Sequence, residues 1–372
     1  MADTGEGGLL VRQGELVAMD QQPTAEQHLA FLVKLQRLLS EGDFSATYKF
    51  ALLIALADIS VERGHDDVRP LEIPIRDIAE KFIDYYWQQA MSYTSTAGGL
   101  EGKFIKQNHG QQAAVLTKIR EFRETHNLHN LGKARKSPHY SQLLNAVRRT
   151  VADKPIVHFQ VLGRSEDEFM FKAPTGAQTI QLKPGVSAYL RKFHALIQQM
   201  TKTRWVEFIK SVSDNQKILG NQDRLYKFLF ESSRESMNKL RSGLFKLENK
   251  TCFYCKKPVR DLSDVHVDHF IPFSLYGRDI LQNFVLAHRN CNISKSDVLA
   301  GYDHLARWID RLEVRRADLS EIADEAGVIS DDTGIKTVAH WSYHHGQQAE
   351  AQAWLKSGKY EPITEAYLSL FR

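Results

Sequence analysis

"VHVDHFIPFS", Val265–Ser274, sets two histidines and an aspartate among apolar residues and closes on Pro272 and Ser274. Side chains alternate faces along a strand, so His266 and Asp268 are expected on one face while Val265 and Val267 turn to a core. The stretch reads as a half-buried strand with polar chemistry on its open side and His269 at its end.

The flanks of this strand carry metal-ligand spacing. Upstream, "CFYC" gives Cys252 and Cys255 the two-residue gap that aims both sulfurs at one ion, and downstream "HRNC" repeats the gap with His288 and Cys291. The full spacing, C-x2-C-x32-H-x2-C, supplies the four tetrahedral donors of a structural Zn²⁺. All three cysteines of the chain lie in this set, and an odd number leaves no complete disulfide framework. A closed four-donor site has no position for substrate, so this zinc is expected to staple the segment rather than to catalyse.

Between and beside the two metal knuckles, "DHFIPFSLYGRDILQNFVLAHRNCNISKSD" holds an Asp-His pair at a strand end, a proline after two apolar residues, an Asn before an apolar strand, and Cys-Asn-x-x-Lys opening a helix. Here these are Asp268 and His269, Pro272, Asn283 before Phe284, Val285 and Leu286, and Cys291 and Asn292 with Lys295. Over about 50 residues the pattern resembles the HNH (ββα-metal) endonuclease family of zinc-knuckle type. "NISKSD" is also similar to the matching stretch of the HNH domain in RNA-guided CRISPR nucleases, which nothing else in the chain resembles.

Phosphodiester hydrolysis needs a nucleophile made from water, neutralised phosphate charge and help for the departing 3′ oxygen. His269 is the natural general base. Asp268 offers a hard carboxylate oxygen and Asn292 a neutral one to a catalytic divalent cation, Mg²⁺ or Mn²⁺, with positions left for water and phosphate. The resemblance implies that Asn283 ties the loop between two strands so that His269 keeps its orientation. Lys295, one helical turn after Asn292, is a candidate phosphate contact, as is Arg278 in the loop. His266, on the expected face of Asp268, is a candidate further metal ligand. The histidines of "AHWSYHH" lack a paired acid and read as packing and surface.

Elsewhere the periodicity is mostly helical. Residues 1–27 read as a flexible tail, with Thr24 and Gln27 announcing a helix start. Apolar spacing predicts helices over about 45–62 and 75–90, the first apolar on all sides. A switch to period two in "KPIVHFQVL" and "EFMFKAP" predicts a β-hairpin insertion near 156–183, with "QTIQL" as a third strand. Helices are expected to resume after Gly185, to follow Lys295, and to end near "GQQAEAQAWLKSG". The division is then a helical recognition or regulatory region over 28–250, a nuclease module over 251–300 and a C-terminal helical region over 301–372.

The net charge of +4 is small, but Lys103–Lys154 holds eleven Lys and Arg against three Asp and Glu, which predicts a basic surface suited to nucleic acid. Arg307, Arg311 and Arg315 are a second expected path. The longest apolar run, Phe50–Ala57, is far below the roughly 20 residues a membrane span needs. The N-terminus lacks a basic start followed by an apolar core, so a cytoplasmic location is expected. The expectation is a mostly helical α+β protein whose zinc-stapled HNH module cuts double-stranded DNA. A large helical region fused to such a module is similar to bacterial restriction and antiphage enzymes. RNA is an alternative substrate, a non-catalytic zinc-knuckle binding protein an alternative class, and a second copy or a defence-system protein a candidate partner.

Overall fold

The computed structural model describes residues 21–42, 44–93, 102–162, 165–173, 176–219 and 224–372. Residues 1–20 of the expected tail lie outside these. Thr24 opens helix α1 (Ala25–Glu41) through a capping box: its Oγ1 accepts from the Gln27 N–H at 3.3 Å, and its own N–H donates to Gln27 Oε1 at 2.8 Å. In chain order there follow α2 (Tyr48–Arg63), β1 (Glu72–Pro74), α3 (Ile75–Gln89), α4 (Ala114–His126), α5 (Leu131–Lys136) and α6 (Tyr140–Val151). Next come β2 (Val161–Leu162), β3 (Ser165–Glu166), β4 (Phe171–Lys172) and β5 (Thr179–Leu182). Helices α7 (Val186–Lys192), α8 (His194–Ser211), α9 (Ser213–Leu219), α10 (Leu225–Phe230) and α11 (Arg234–Leu247) lead to the Cys-bearing segment.

The described chain forms two compact units. One draws on Met1–Phe82, Gln107–Ala113 and Leu144–Ile209, the other on Ile83–Lys106, Ala114–Leu143 and Lys210–Arg372. In the first, α2 is buried almost throughout, as its all-round apolarity predicts. Its one central acid, Asp58, is satisfied: Oδ1 accepts from His194 Nε2 at 2.8 Å and from Gln198 Nε2 at 2.7 Å.

The expected hairpin is only partly present. "KPIVH" is helical, because α6 continues through a π-turn at Ala152–Ile156 that accommodates Pro155. Pro155, Ile156 and Phe159 are buried at helical rather than alternate spacing. Gln160 then caps the bend, accepting from Met170 and Phe171 N–H and donating to Phe171 O. The short strands β2 and β3 pair antiparallel, and residues 163 and 164 of the expected hairpin lie outside the described ones. "QTIQL" does become a strand, the centre of a three-stranded antiparallel sheet in the order β1-β5-β4.

In the second unit, β6 (Val265–His269) and β7 (Phe284–His288) pair antiparallel and α12 (Arg289–Lys295) packs on both. Helices α13 (Tyr302–Val314), α14 (Arg316–Ala326) and α15 (Asp332–Gln348) follow. The expected last helix ends early. "QAWLK" is instead β8 (Gln352–Lys356), paired with β9 (Lys359–Pro362) around Gly358 at φ +70°, before α16 (Glu365–Ser369). Trp354 decides this, since only an extended backbone lets it exchange bonds of 2.8 Å with Leu299 O and the Gly301 N–H while burying its ring.

The basic run does not make the expected surface throughout. Lys106 pairs with Asp214, Arg135 with Asp84 and Lys136 with Asp324, while Arg123 is buried over the Trp87 ring. Acids distant in sequence thus neutralise part of the local excess. Arg311 departs further from a surface role. Its buried guanidinium donates to Gln282 O, to Phe284 O at 2.8 Å and to Glu248 Oε1 at 3.0 Å, fixing the start of β7. Arg311→Ala is expected to lower unfolding free energy by about 3–5 kcal/mol, because it strands a buried carboxylate and takes a donor from two carbonyls, of which Gln282 O keeps only the Trp308 indole N–H. Urea unfolding of the variant against the parent measures this.

Candidate active site and metal centre

The register of β6 on β7 runs from Val265 opposite His288 to His269 opposite Phe284. One end of the ladder therefore carries metal-donor groups and the other the Asp-His pair. At the first end, the donor atoms of Cys252, Cys255, His288 and Cys291 all lie within 4.8 Å of one another. His288 Nδ1 faces Cys255 Sγ at 3.2 Å, and its Nε2 lies 3.3 Å from Pro258 O. A carbonyl only accepts, so Nε2 carries the proton and Nδ1 offers its lone pair to the sulfurs, the arrangement of a metal-bound imidazole.

Burial, together with the neighbouring Cys252 and Cys255 sulfurs, pushes the Cys291 thiol up to about 12. Three thiols so crowded ionise together only around a cation, and a Cys3His tetrahedron suits zinc. These residues fit a structural zinc ion.

At the other end, Asp268 is buried rather than open. The strand alternates imperfectly, with Val265 and Asp268 buried and His266, Val267 and His269 half-buried, so the expected sharing of an open face by His266 and Asp268 does not hold. The carboxylate draws Asp268 inward: its Oδ2 accepts from Tyr254 Oη at 2.6 Å and lies 3.4 Å from Lys295 Nζ. Burial and then the Asp268 charge hold the Tyr254 hydroxyl well above its usual range, so it stays a donor.

Lys295 is fully buried and its ammonium also donates to His269 O at 2.9 Å. It faces the strand end, not an outside phosphate. Burial pulls its pKa down while Asp268 opposes that shift.

His269 is held on two sides. Its ring lies between Phe273 and Phe284, with centroids at 5.0 and 4.6 Å, and its Nε2 meets Asp279 Oδ1 at 2.9 Å. Asp279 is itself fixed by the Ser232 N–H, which donates to Oδ2 at 2.8 Å. Burial would raise the Asp279 carboxyl, but the bonds from His269 and Ser232 outweigh it and leave it below its usual range. Among the described residues no polar group meets His269 Nδ1, which leaves that nitrogen to act as an acceptor.

Asn283 is buried and ties the loop after β6, as the resemblance implies. Its Oδ1 accepts from the Ile271 N–H at 2.7 Å, its Nδ2 donates to Ile271 O at 2.9 Å, and its carbonyl accepts from Phe270 N–H. Asn292 lies half-buried on α12, one turn before Lys295, on the helix that packs against β6. His266 sits opposite Ala287 and outside the Cys3His group. Arg278 is buried against Asp84 at 2.6 Å rather than facing a substrate path. Tyr254 and Asp279 escape the sequence reading, although Tyr254 stands inside the first knuckle and Asp279 ten residues after His269.

Residues 252–297 match the HNH endonuclease family, and this match coincides with the ladder and its two centres. Residues 27–229, over half the chain, match the family described as Domain of unknown function (DUF8808). The chain belongs to the DUF8808 family. Its HNH module follows the DUF8808 region and points to a nuclease or hydrolase in general. Searches of curated proteins and of solved structures give no match.

Protein purified without added zinc is expected to contain about one zinc per chain by elemental analysis. Cys291→Ser is expected to lose that metal and to unfold at lower temperature, because structural zinc contributes its binding energy to folding.

Proposed function

We propose that the HNH module hydrolyses phosphodiester bonds in double-stranded DNA, with His269 as general base, in bacterial restriction or antiphage defence. The observation that carries the chemistry is the His269–Asp279 pair beside Asp268, inside the segment that matches HNH endonucleases. Asp279 holds Nε2, so Nδ1 is the nitrogen that takes the proton of the attacking water as its oxygen bonds phosphorus and the 3′ oxygen departs. Asp279 also stabilises the imidazolium that forms.

Asp268 and Asn292 supply hard oxygen donors of the kind a Mg²⁺ or Mn²⁺ ion takes, and Tyr254 and Lys295 orient the Asp268 carboxylate. A bound divalent cation supplies the positive charge that neutralises phosphate and leaving oxygen.

A polyanionic substrate is supported by Lys257, Arg260 and Arg289, exposed around the metal knuckle with no carboxylate partner among the described residues. The restriction or defence role is supported by architecture, a large helical region joined to a nuclease module. Among the described residues no helix is long and apolar enough to cross a membrane.

Supercoiled plasmid and a structured RNA, each incubated with Mg²⁺ or Mn²⁺, test the reading. Plasmid is expected to be cut. His269→Ala is expected to keep zinc and DNA binding while cleavage falls by roughly 10² to 10⁴. Asp268→Ala and Asn292→Ala are expected to lose activity that raised Mn²⁺ partly restores, a rescue His269→Ala does not share. Full cleavage by a clean His269→Ala preparation overturns the assignment, and exclusive cleavage of RNA overturns the substrate.

A further inference from the structure

We propose that Lys295 is a built-in counter-charge for Asp268, which makes the nuclease centre take up its divalent cation together with nucleic acid rather than before it. The proposal rests on the reading of Asp268 and Asn292 as donors to that ion, and it adds the regulation of the same site.

The Lys295 side chain is fully buried, and its ammonium has three acceptors: His269 O at 2.9 Å, Asp268 Oδ2 at 3.4 Å and Ser296 O at 3.5 Å. An ammonium carries three protons, so all of them find acceptors within the module. The packing of α12 on β6 brings this about, since it sets residue 295 beside residues 268 and 269.

The Asp268 carboxylate is engaged through one oxygen. Its Oδ2 takes the Tyr254 hydroxyl at 2.6 Å and the ammonium, whereas among the described residues no group bonds Oδ1. The Asn292 side-chain amide is also without a hydrogen-bond partner among them. Tyr254 and Lys295 therefore hold the carboxylate and still leave one of its oxygens to a cation.

Charge decides how strongly that cation is held. Asp268 brings one negative charge to the donor pair and Asn292 brings none. Lys295 cancels that charge in a buried setting where screening is weak. Asp279 is engaged elsewhere, by His269 Nε2 and the Ser232 N–H, and Asp297 is exposed to screening solvent. A divalent cation on a neutralised pair leaves its own charge uncompensated, and the phosphates of a nucleic acid supply what is missing. Each ligand then strengthens the other by the same factor.

Mn²⁺ titration of zinc-loaded, full-length His269→Ala tests this, followed by the EPR signal of free Mn²⁺ at about pH 8, well above the carboxylate range. Asp268→Ala in the same background gives the baseline for Mn²⁺ bound elsewhere. A DNA duplex is expected to tighten Mn²⁺ binding by about 10-fold or more. Lys295→Gln keeps a donor for His269 O but removes the charge. It is expected to tighten Mn²⁺ binding to the protein alone by about 10-fold and to shrink the gain that DNA brings.

Zinc content and melting temperature identify the variants that keep the fold. Unchanged Mn²⁺ affinity in a folded Lys295→Gln overturns the proposal, as does a duplex that leaves the Mn²⁺ affinity of the His269→Ala protein where it was. Should Lys295→Gln not fold, Lys295→Met, close to lysine in size and without charge, is read the same way. Equal Mn²⁺ affinity with and without Asp268→Ala removes the donor reading and the proposal with it. Affinity lost in Asp268→Ala but unchanged in Lys295→Gln removes the proposal alone.

Discussion

Pairing Val265 with His288 and His269 with Phe284 sends the donor knuckles and the Asp-His pair to opposite ends of one short ladder. A slip of one residue would turn every side chain of β6 to the other face, burying His269 and exposing Asp268 to water. Two anchors prevent the slip. The Cys3His group joins the segment ends at Cys252 and Cys291, and the Arg311 guanidinium grips the backbone just before and at the start of β7. The first anchor lies at the donor end of the ladder and the second beside the end that carries the Asp-His pair, so the register is held from both sides.

The interior beside this ladder is unusually polar. Asp268 with Tyr254 and Lys295, Asp279 with His269 and Ser232, Asp84 with Arg278, and Glu248 with Arg311 are all hydrogen-bonded pairs or networks. Each exchanges solvation for fixed geometry, which serves a site better than a scaffold. The first unit uses the same device at its centre, with Asp58 between His194 and Gln198 on a largely apolar helix.

What could be read directly from the chain is what depends on near neighbours. The cysteine spacing, the Thr24 capping box, the buried helix α2 and the Asn283 tether all rest on local patterns or on a family pattern. The long-range pairs were not legible. Arg278 is matched by an acid 194 residues earlier and Arg135 by the same acid, so the basic excess of Lys103–Lys154 and the loop arginine both read as surface charge. Asp268 was misplaced for the same reason, since alternation assigns faces without knowing that Tyr254 and Lys295 wait on the buried one. The C-terminal hairpin was missed because Ala and Gln around it favour helix, and only the Trp354 bonds to 299–301 override them.

Trp354 carries a consequence for how the molecule comes into being. Its ring stands edge-on to Tyr254 at 5.2 Å, and its indole N–H donates to Ser294 Oγ on α12 at 3.0 Å. The tyrosine that orients Asp268 is therefore backed by a residue more than fifty positions beyond the end of the HNH match. During synthesis the N-terminal parts emerge and fold first. A nascent chain that already displays its cysteines and its Asp-His pair still lacks the wall behind Tyr254, so the setting of the Asp268 carboxylate is completed only after Trp354 has been added, well after the HNH match itself.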